Sequence, residues 1–209
     1  MKFIGIENFD MTNPGSLGLY ANSMEFEAFK EIMNIEHKAV QEKIDKYYEQ
    51  LNNRKSELKT TDDVLMNISL YNTKLIPILN SSLLISLVSI FEETMYSICR
   101  VYKEYLSITT DFTDMNGKKS WIDKTSKYLK DYADKNIRND KEWEYIKFII
   151  DIRNAHVHNG GRIIKEDMLE KIHRYGFDVS EEDNYFYIDN DTLKLFQEKI
   201  VNFLNRNFK

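Results

Sequence analysis

Over most of this chain apolar residues recur every three or four positions, the period of an α-helix. From Met24 to about Leu58, Phe26, Phe29, Ile32, Met33, Val40, Ile44, Tyr47 and Leu51 make a narrow stripe that includes Glu36, and Lys and Glu fill the other faces. Thr60-Thr61-Asp62-Asp63 supplies helix-start residues ahead of Val64, Leu65 and Ile68. Pro77 then kinks or restarts the helix. The run from there to Tyr105 is the most apolar of the chain, with Leu84, Leu87, Val88, Phe91, Met95, Ile98, Tyr102 and Tyr105 on one face and Leu83, Ile85 and Ile90 spreading further round. Such a helix belongs at a bundle centre or against a second subunit. Before the first stripe, Met1 to Ser23 is mixed and holds Pro14, Gly15 and Gly18; it reads as a loop, with a short strand at Phe3–Ile6.

The second half continues the pattern. Ser107 to Gly117 is a polar loop, and a helix follows from Ser120 with Trp121, Tyr128, Leu129 and Tyr132 as its apolar members. Trp143, Ile146, Ile149, Ile150 and Val157 share one face of the next helix, which stops at Asn159-Gly160-Gly161. A short helix runs from Glu166 to Tyr175. Phe177–Val179 and Tyr185–Ile188 read as two short strands around a polar turn, a small β-hairpin before the last helix. Asp189 to Thr192 opens that helix, whose core stripe is Leu193, Phe196, Ile200, Phe203 and Leu204.

Composition narrows the function classes. The 209 residues, 42% hydrophobic and 30% charged, suit one domain or one domain with a helical extension. A net charge of −5 argues against binding nucleic acid by bulk charge, so any such contact must come from a local patch. One such patch is Lys118 to Lys141, where eight basic residues stand against four aspartates; Lys124, Lys127 and Lys130 are its candidates for substrate binding. Cys99 is the only cysteine, which leaves no internal disulfide. The start of the chain lacks a signal-peptide pattern and no stretch reads as a membrane span, so a cytoplasmic protein is expected.

The chemistry concentrates where one helix breaks its own pattern. At roughly 100° per residue, Arg153 falls on the apolar face between Ile150 and Val157. An arginine there needs an anion or a ring of acceptors. Glu92, at the edge of the long apolar helix, is the best partner within the chain. Asn154, His156 and His158 follow, so one helix end carries a fixed cation, an amide and two groups that exchange protons near neutral pH. His156 and His158 point roughly 200° apart on a helix, so they do not form the spacing-of-four pair that zinc requires. No Gly-x-Ser-x-Gly elbow and no glycine-rich phosphate loop is present, and no cofactor is expected. An arginine with a histidine suits a phosphodiester: the fork holds non-bridging oxygens, and the imidazole takes or gives the proton of a ribose hydroxyl. The plain alternative is that Arg153 pairs with a carboxylate and the histidines cap the helix.

The run Arg153-Asn154-Ala155-His156-Val157-His158-Asn159-Gly160, led by Ile149-Ile150-Asp151-Ile152, resembles the signature of the HEPN (higher eukaryotes and prokaryotes nucleotide-binding) superfamily: an arginine, usually followed by a polar residue, and a histidine with four to six residues between the two, here four, near the end of a bundle helix. The order of helices extends the resemblance over roughly 78 to 205. It implies an all-α, HEPN-like helical domain (78–209) behind an N-terminal helical extension (1–77). It further implies a homodimer whose Arg-His helices meet in a shared cleft. Many members are metal-independent endoribonucleases of toxin or defence type, and others are non-catalytic modules that bind nucleotides, RNA or partner proteins. By the match, Arg153 holds the scissile phosphate, His158 transfers a proton and Asn154 orients one or the other. His156 occupies a variable position and inherits no role. The implied partners are RNA, a second copy through the Leu83–Tyr105 and Trp143–His158 helices, and an antitoxin or defence protein; no membrane partner is expected.

Overall fold

Asn13 starts the first helix. Its side chain accepts a hydrogen bond from the Gly15 N–H at 2.9 Å, and Pro14 follows at the first helical positions, where a missing N–H costs nothing. The computed structural model describes residues 10–53, 58–115 and 120–209, the side chains of 58–61 excepted. The strand expected at Phe3–Ile6, and Asn116 to Lys119, lie outside the described residues. The stretch read as a loop around Pro14 is instead α1, Pro14–Ala21. Its glycines mark close packing: a Cβ on Gly18 would lie 2.6 Å from the Ile98 Cα, and one on Gly15 3.1 Å from the Phe208 carbonyl oxygen. Gly18→Ala should therefore destabilise the protein by about 1–3 kcal/mol in urea unfolding, although alanine is the better helix former. An unchanged midpoint would mean that this helix crossing is slack.

Helix α2 spans Ser23–Asn53 and α3 spans Leu58–Leu70. The described helix is already formed at Leu58, so Thr60 to Asp63 lie in its first turns and not ahead of it. One π-helical turn, Tyr71–Leu75, joins α3 to α4, Ile76–Tyr105. Pro77 has no N–H for the carbonyl four residues back, and the wider turn absorbs the mismatch, with the Ile76 N–H bonded to the Tyr71 carbonyl. The boundary expected at 77 thus falls inside one helical run. Phe26, Phe29 and Met33 of α2 pack in the same core as α4, whereas the distal half of α2 buries little beyond Ile44.

Helix α4 is the central element and touches α1, α2, α5 (Trp121–Ala133), α6 (Trp143–Asn159) and α8 (Asn190–Phe208). Leu84, Leu87, Val88, Phe91, Met95 and Ile98, the stripe legible in the sequence, are fully buried, while Tyr105 at its end is exposed. Asn80 of α4 is buried; its amide donates to the Ile188 carbonyl at 2.7 Å, and its oxygen lies 3.0 Å from Nε2 of His37. This ties α2, α4 and the segment before α8 together.

The described residues are all-α, and the β-hairpin is not formed. Phe177–Val179 and Tyr185–Ile188 make no ladder; the one bridge pairs Arg162 with Tyr185. The alternation that suggests a strand is real, since Phe186 and Ile188 are buried and Tyr187 is exposed. The backbone partner of Phe186 is the Gly161 carbonyl at 3.0 Å, beside the end of α6. A second short helix, α7, runs Glu166–Arg174. One further expectation changes. The run Asp62–Tyr105 holds an 18-residue window long and apolar enough to cross a membrane, a test that core helices also pass. The residues between Lys74 and Glu92 carry no charge, the serines and Asn80 among them included.

Candidate functional site

Helix α6 presents its polar end on two sides. Arg153 leans toward α4: its Nη2 lies 3.6 Å from Oε2 of Glu92, with side-chain exposures of 17% and 28%. The partner expected from the sequence is thus the one in reach. Glu92 also accepts a hydrogen bond from the Tyr96 hydroxyl at 2.7 Å. Burial first, then that contact, pushes the Tyr96 phenol well above its ordinary value, so it stays a donor. The Nε of Arg153 is buried and has no hydrogen-bond partner among the described residues. Such a half-buried guanidinium keeps unused donor capacity, and a polar group left so is costly.

Asn154 and His158, four apart, share the other side with Asp151. All three line an open groove of about 430 Å³ between the end of α6 and the start of α7. Its remaining wall includes Arg162, Lys165 and Lys171, with Ala155, Ile163 and Met168 beneath. His158 is exposed and Asn154 partly so. Burial raises the Asp151 carboxyl, against the pull of Lys171 at 3.6 Å. Arg153 does not line this groove. It stands five positions before His158, about 140° around the helix axis. One chain therefore does not aim both groups at one phosphate. The face bearing Arg153 also turns outward as it continues, and Val157, expected in the core stripe, is 44% exposed.

His156 is a tether. Its Nδ1 lies 2.9 Å from the Ser81 Oγ, a hydroxyl that also lies 2.7 Å from the Pro77 carbonyl oxygen. The ring meets Tyr185 edge-on at 5.7 Å. Burial lowers its pKa, with the Phe186 backbone pulling the other way, and it stays neutral at pH 7. A histidine depressed in the folded state is protonated first in the unfolded chain. Its contribution is therefore whole above the unfolded value and is lost as pH falls below about 6.5. In His156→Gln the acid slope of stability should flatten; an identical slope would remove His156 as its source.

The turn after α6 fixes where the groove wall begins. Gly160 (φ +59°) and Gly161 (φ +87°) are both left-handed, and the Gly161 N–H closes the helix on the Ala155 carbonyl at 3.1 Å. A Cβ on Gly160 meets nothing within 4 Å, whereas one on Gly161 would lie 2.5 Å from the Tyr185 ring and 2.9 Å from His156. Gly160→Ala should cost about 1 kcal/mol, and Gly161→Ala about 2–4 kcal/mol through clash plus strain. Equal losses in thermal unfolding would contradict this packing.

The lysines of α5 lie elsewhere. Lys124 borders a separate hollow with Tyr96, Phe112, Thr113 and Trp121, Lys127 pairs with Asp131, and Lys130 is exposed. None of the three lines the α6–α7 groove. Sequence reasoning missed Asp151, Arg162, Lys165 and Lys171. The available signal was two cations within five residues after a helix stop, on a segment that must turn back past the same helix. Among the described residues no group of three or more His, Cys, Asp or Glu is placed to hold a metal ion. No protein family, curated protein or solved structure matches this chain, and its resemblance over 153–160 stands on those residues alone.

Proposed function

We propose that this protein is a metal-independent endoribonuclease of toxin or defence type, acting as a homodimer in which Arg153 of one copy meets His158 of the other at the scissile phosphate. The observation that carries the reading is the divergence on α6: a half-buried cation with a spare donor on one side, an exposed histidine with its amide neighbour on the other. A two-fold pairing of α4 and α6 faces answers it. Exposed Ile78 and Val157 give that face apolar area to bury. RNA supplies its own 2′-OH nucleophile, so the chain needs to provide proton transfer and charge stabilisation only. The test is incubation of the purified protein with RNA in EDTA. Cleavage leaving 2′,3′-cyclic phosphate ends is expected; intact RNA, or cleavage only after a divalent ion is restored, refutes the mechanism.

One observation favours a second reading, a non-catalytic module that binds nucleotide, RNA or a partner protein. Glu92 already neutralises Arg153. A scaffold needs no more than that pair, and it tolerates glutamine at position 158, whereas the enzyme does not.

A further inference from the structure

The groove between α6 and α7 holds a constellation that the Arg-His motif does not include. Asp151, Asn154 and His158 form one wall, and Arg162, Lys165 and Lys171 come from the turn and helix opposite. Their states differ. Lys171 is taken by Asp151 at 3.6 Å. Arg162 pairs with Asp183 at 3.4 Å, but both side chains are largely exposed, 63% and 40%, so water screens the pair and a phosphate can displace the carboxylate. Lys165 is exposed and has no ion pair among the described residues. Asp167 also lines the groove, exposed, and Lys165 acts on the Asp151 carboxylate from a distance, so the groove offers two cations with no close buried partner beside an exposed imidazole. Its floor is apolar, built from Ala155, Ile163 and Met168, and Ile164 stands 75% exposed at its edge. A polar rim with fixed cations over an apolar floor is complementary to a nucleotide, whose phosphate is charged and whose base has flat apolar faces.

We infer that the α6–α7 groove is the substrate-binding groove, taking one nucleotide of a single-stranded RNA with its phosphate on Arg162 and Lys165 and its base over Ile164 and Met168. This rests on the ribonuclease reading for the identity of the polymer, and it moves the strand path from the lysines of α5 to the end of α6. Arginine engages a phosphate through two parallel N–H donors and lysine as a point charge, so the pair fixes both register and attraction. The adjoining phosphodiester then reaches His158 and Asn154 on the same wall.

The experiment measures binding separately from cleavage. A fluorescent single-stranded oligonucleotide with 2′-O-methyl riboses cannot be cut by 2′-OH attack, and its affinity is read by anisotropy across a salt series. The double variant Arg162→Ala, Lys165→Ala should bind at least about tenfold more weakly and lower the magnitude of the salt slope by roughly 0.7, the one single-strand phosphate that the two cations hold. Lys165→Glu alone, at an exposed position, should weaken binding with the fold intact by circular dichroism. Lys38→Ala with Lys46→Ala, on exposed α2 positions, controls for bulk charge and should change neither quantity. Unchanged binding and slope in the double variant overturn the inference, as does loss of binding confined to a Lys124, Lys127, Lys130 variant. A wild-type protein that fails to bind the oligonucleotide overturns it too. If the groove binds as expected but RNA is never cut, the groove stands and the catalytic reading falls. If RNA is cut equally well by the double variant, the groove falls and the catalytic reading stands.

Discussion

Arg153→Ala and His158→Ala should each slow RNA cleavage by on the order of a hundredfold or more. The expectation follows from the chemistry of a metal-free cut. Attack by the 2′-OH requires a proton acceptor, departure of the 5′-oxygen requires a donor, and the phosphorane between them carries added negative charge. His158 is exposed on the groove wall, where it can serve either proton step. Arg153 is 17% exposed beside the apolar body of α4, where a charge interaction is stronger than in water. Its Nε is a buried donor with no hydrogen-bond partner among the described residues, and the guanidinium must turn for that N–H to meet an oxyanion. Asn154→Ala should cost less, because an amide that orients a neighbour contributes through position and not through a proton. Arg153→Ala also leaves Glu92 with Tyr96 as a hydrogen-bond partner but no cation, so unfolding must be measured in parallel. Full activity in His158→Ala would end the proton-transfer assignment, since buried, neutral His156 is held by Ser81 and is no substitute.

Val157→Asp should convert a dimer to a monomer and take cleavage down with it, by a hundredfold or more if the site needs both copies. Val157 is 44% exposed and Ile78 is 62% exposed, each close in sequence to the Ser81–His156 contact that joins α4 to α6. A charge at such a position disturbs little within one chain but opposes burial against a second. Light scattering should give twice the chain mass for the wild type and the single mass for Val157→Asp and Ile78→Asp. A wild-type monomer at high micromolar concentration, cutting RNA at full rate, would contradict a shared site.

The helical body was legible because its core is periodic. The stripe from Leu84 to Ile98 and the α8 stripe from Leu193 to Leu204 are buried as their spacing requires. Glu92 was found because an arginine on an apolar face limits its partners to carboxylates in reach. The misreadings share a cause: local signals with two meanings. Pro14, Gly15 and Gly18 mark loops in isolation, yet Pro14 opens a helix, and the glycines let it lie against Ile98 and Phe208, residues far along the chain. The alternation in Tyr185–Ile188 reports burial of every second side chain, which an extended segment achieves without a strand partner. The groove was invisible for a further reason. Asp151, Arg162, Lys165 and Lys171 meet only because Gly160 and Gly161 reverse the chain and α7 folds back along α6. Nothing in the spacing of those residues shows which wall each will form.

A site completed by Arg153 from one copy and His158 from another can be rebuilt by mixing two inactive proteins. Arg153→Ala and His158→Ala are each prepared, unfolded together or incubated until subunits exchange, and assayed on RNA in EDTA. A mixed dimer contains one site with both groups intact, so random pairing should restore about a quarter of wild-type activity. The restored products, like those expected of the wild type, should end in 2′,3′-cyclic phosphates. A mixture whose subunits have exchanged, yet which remains as inactive as its components, would contradict the shared site.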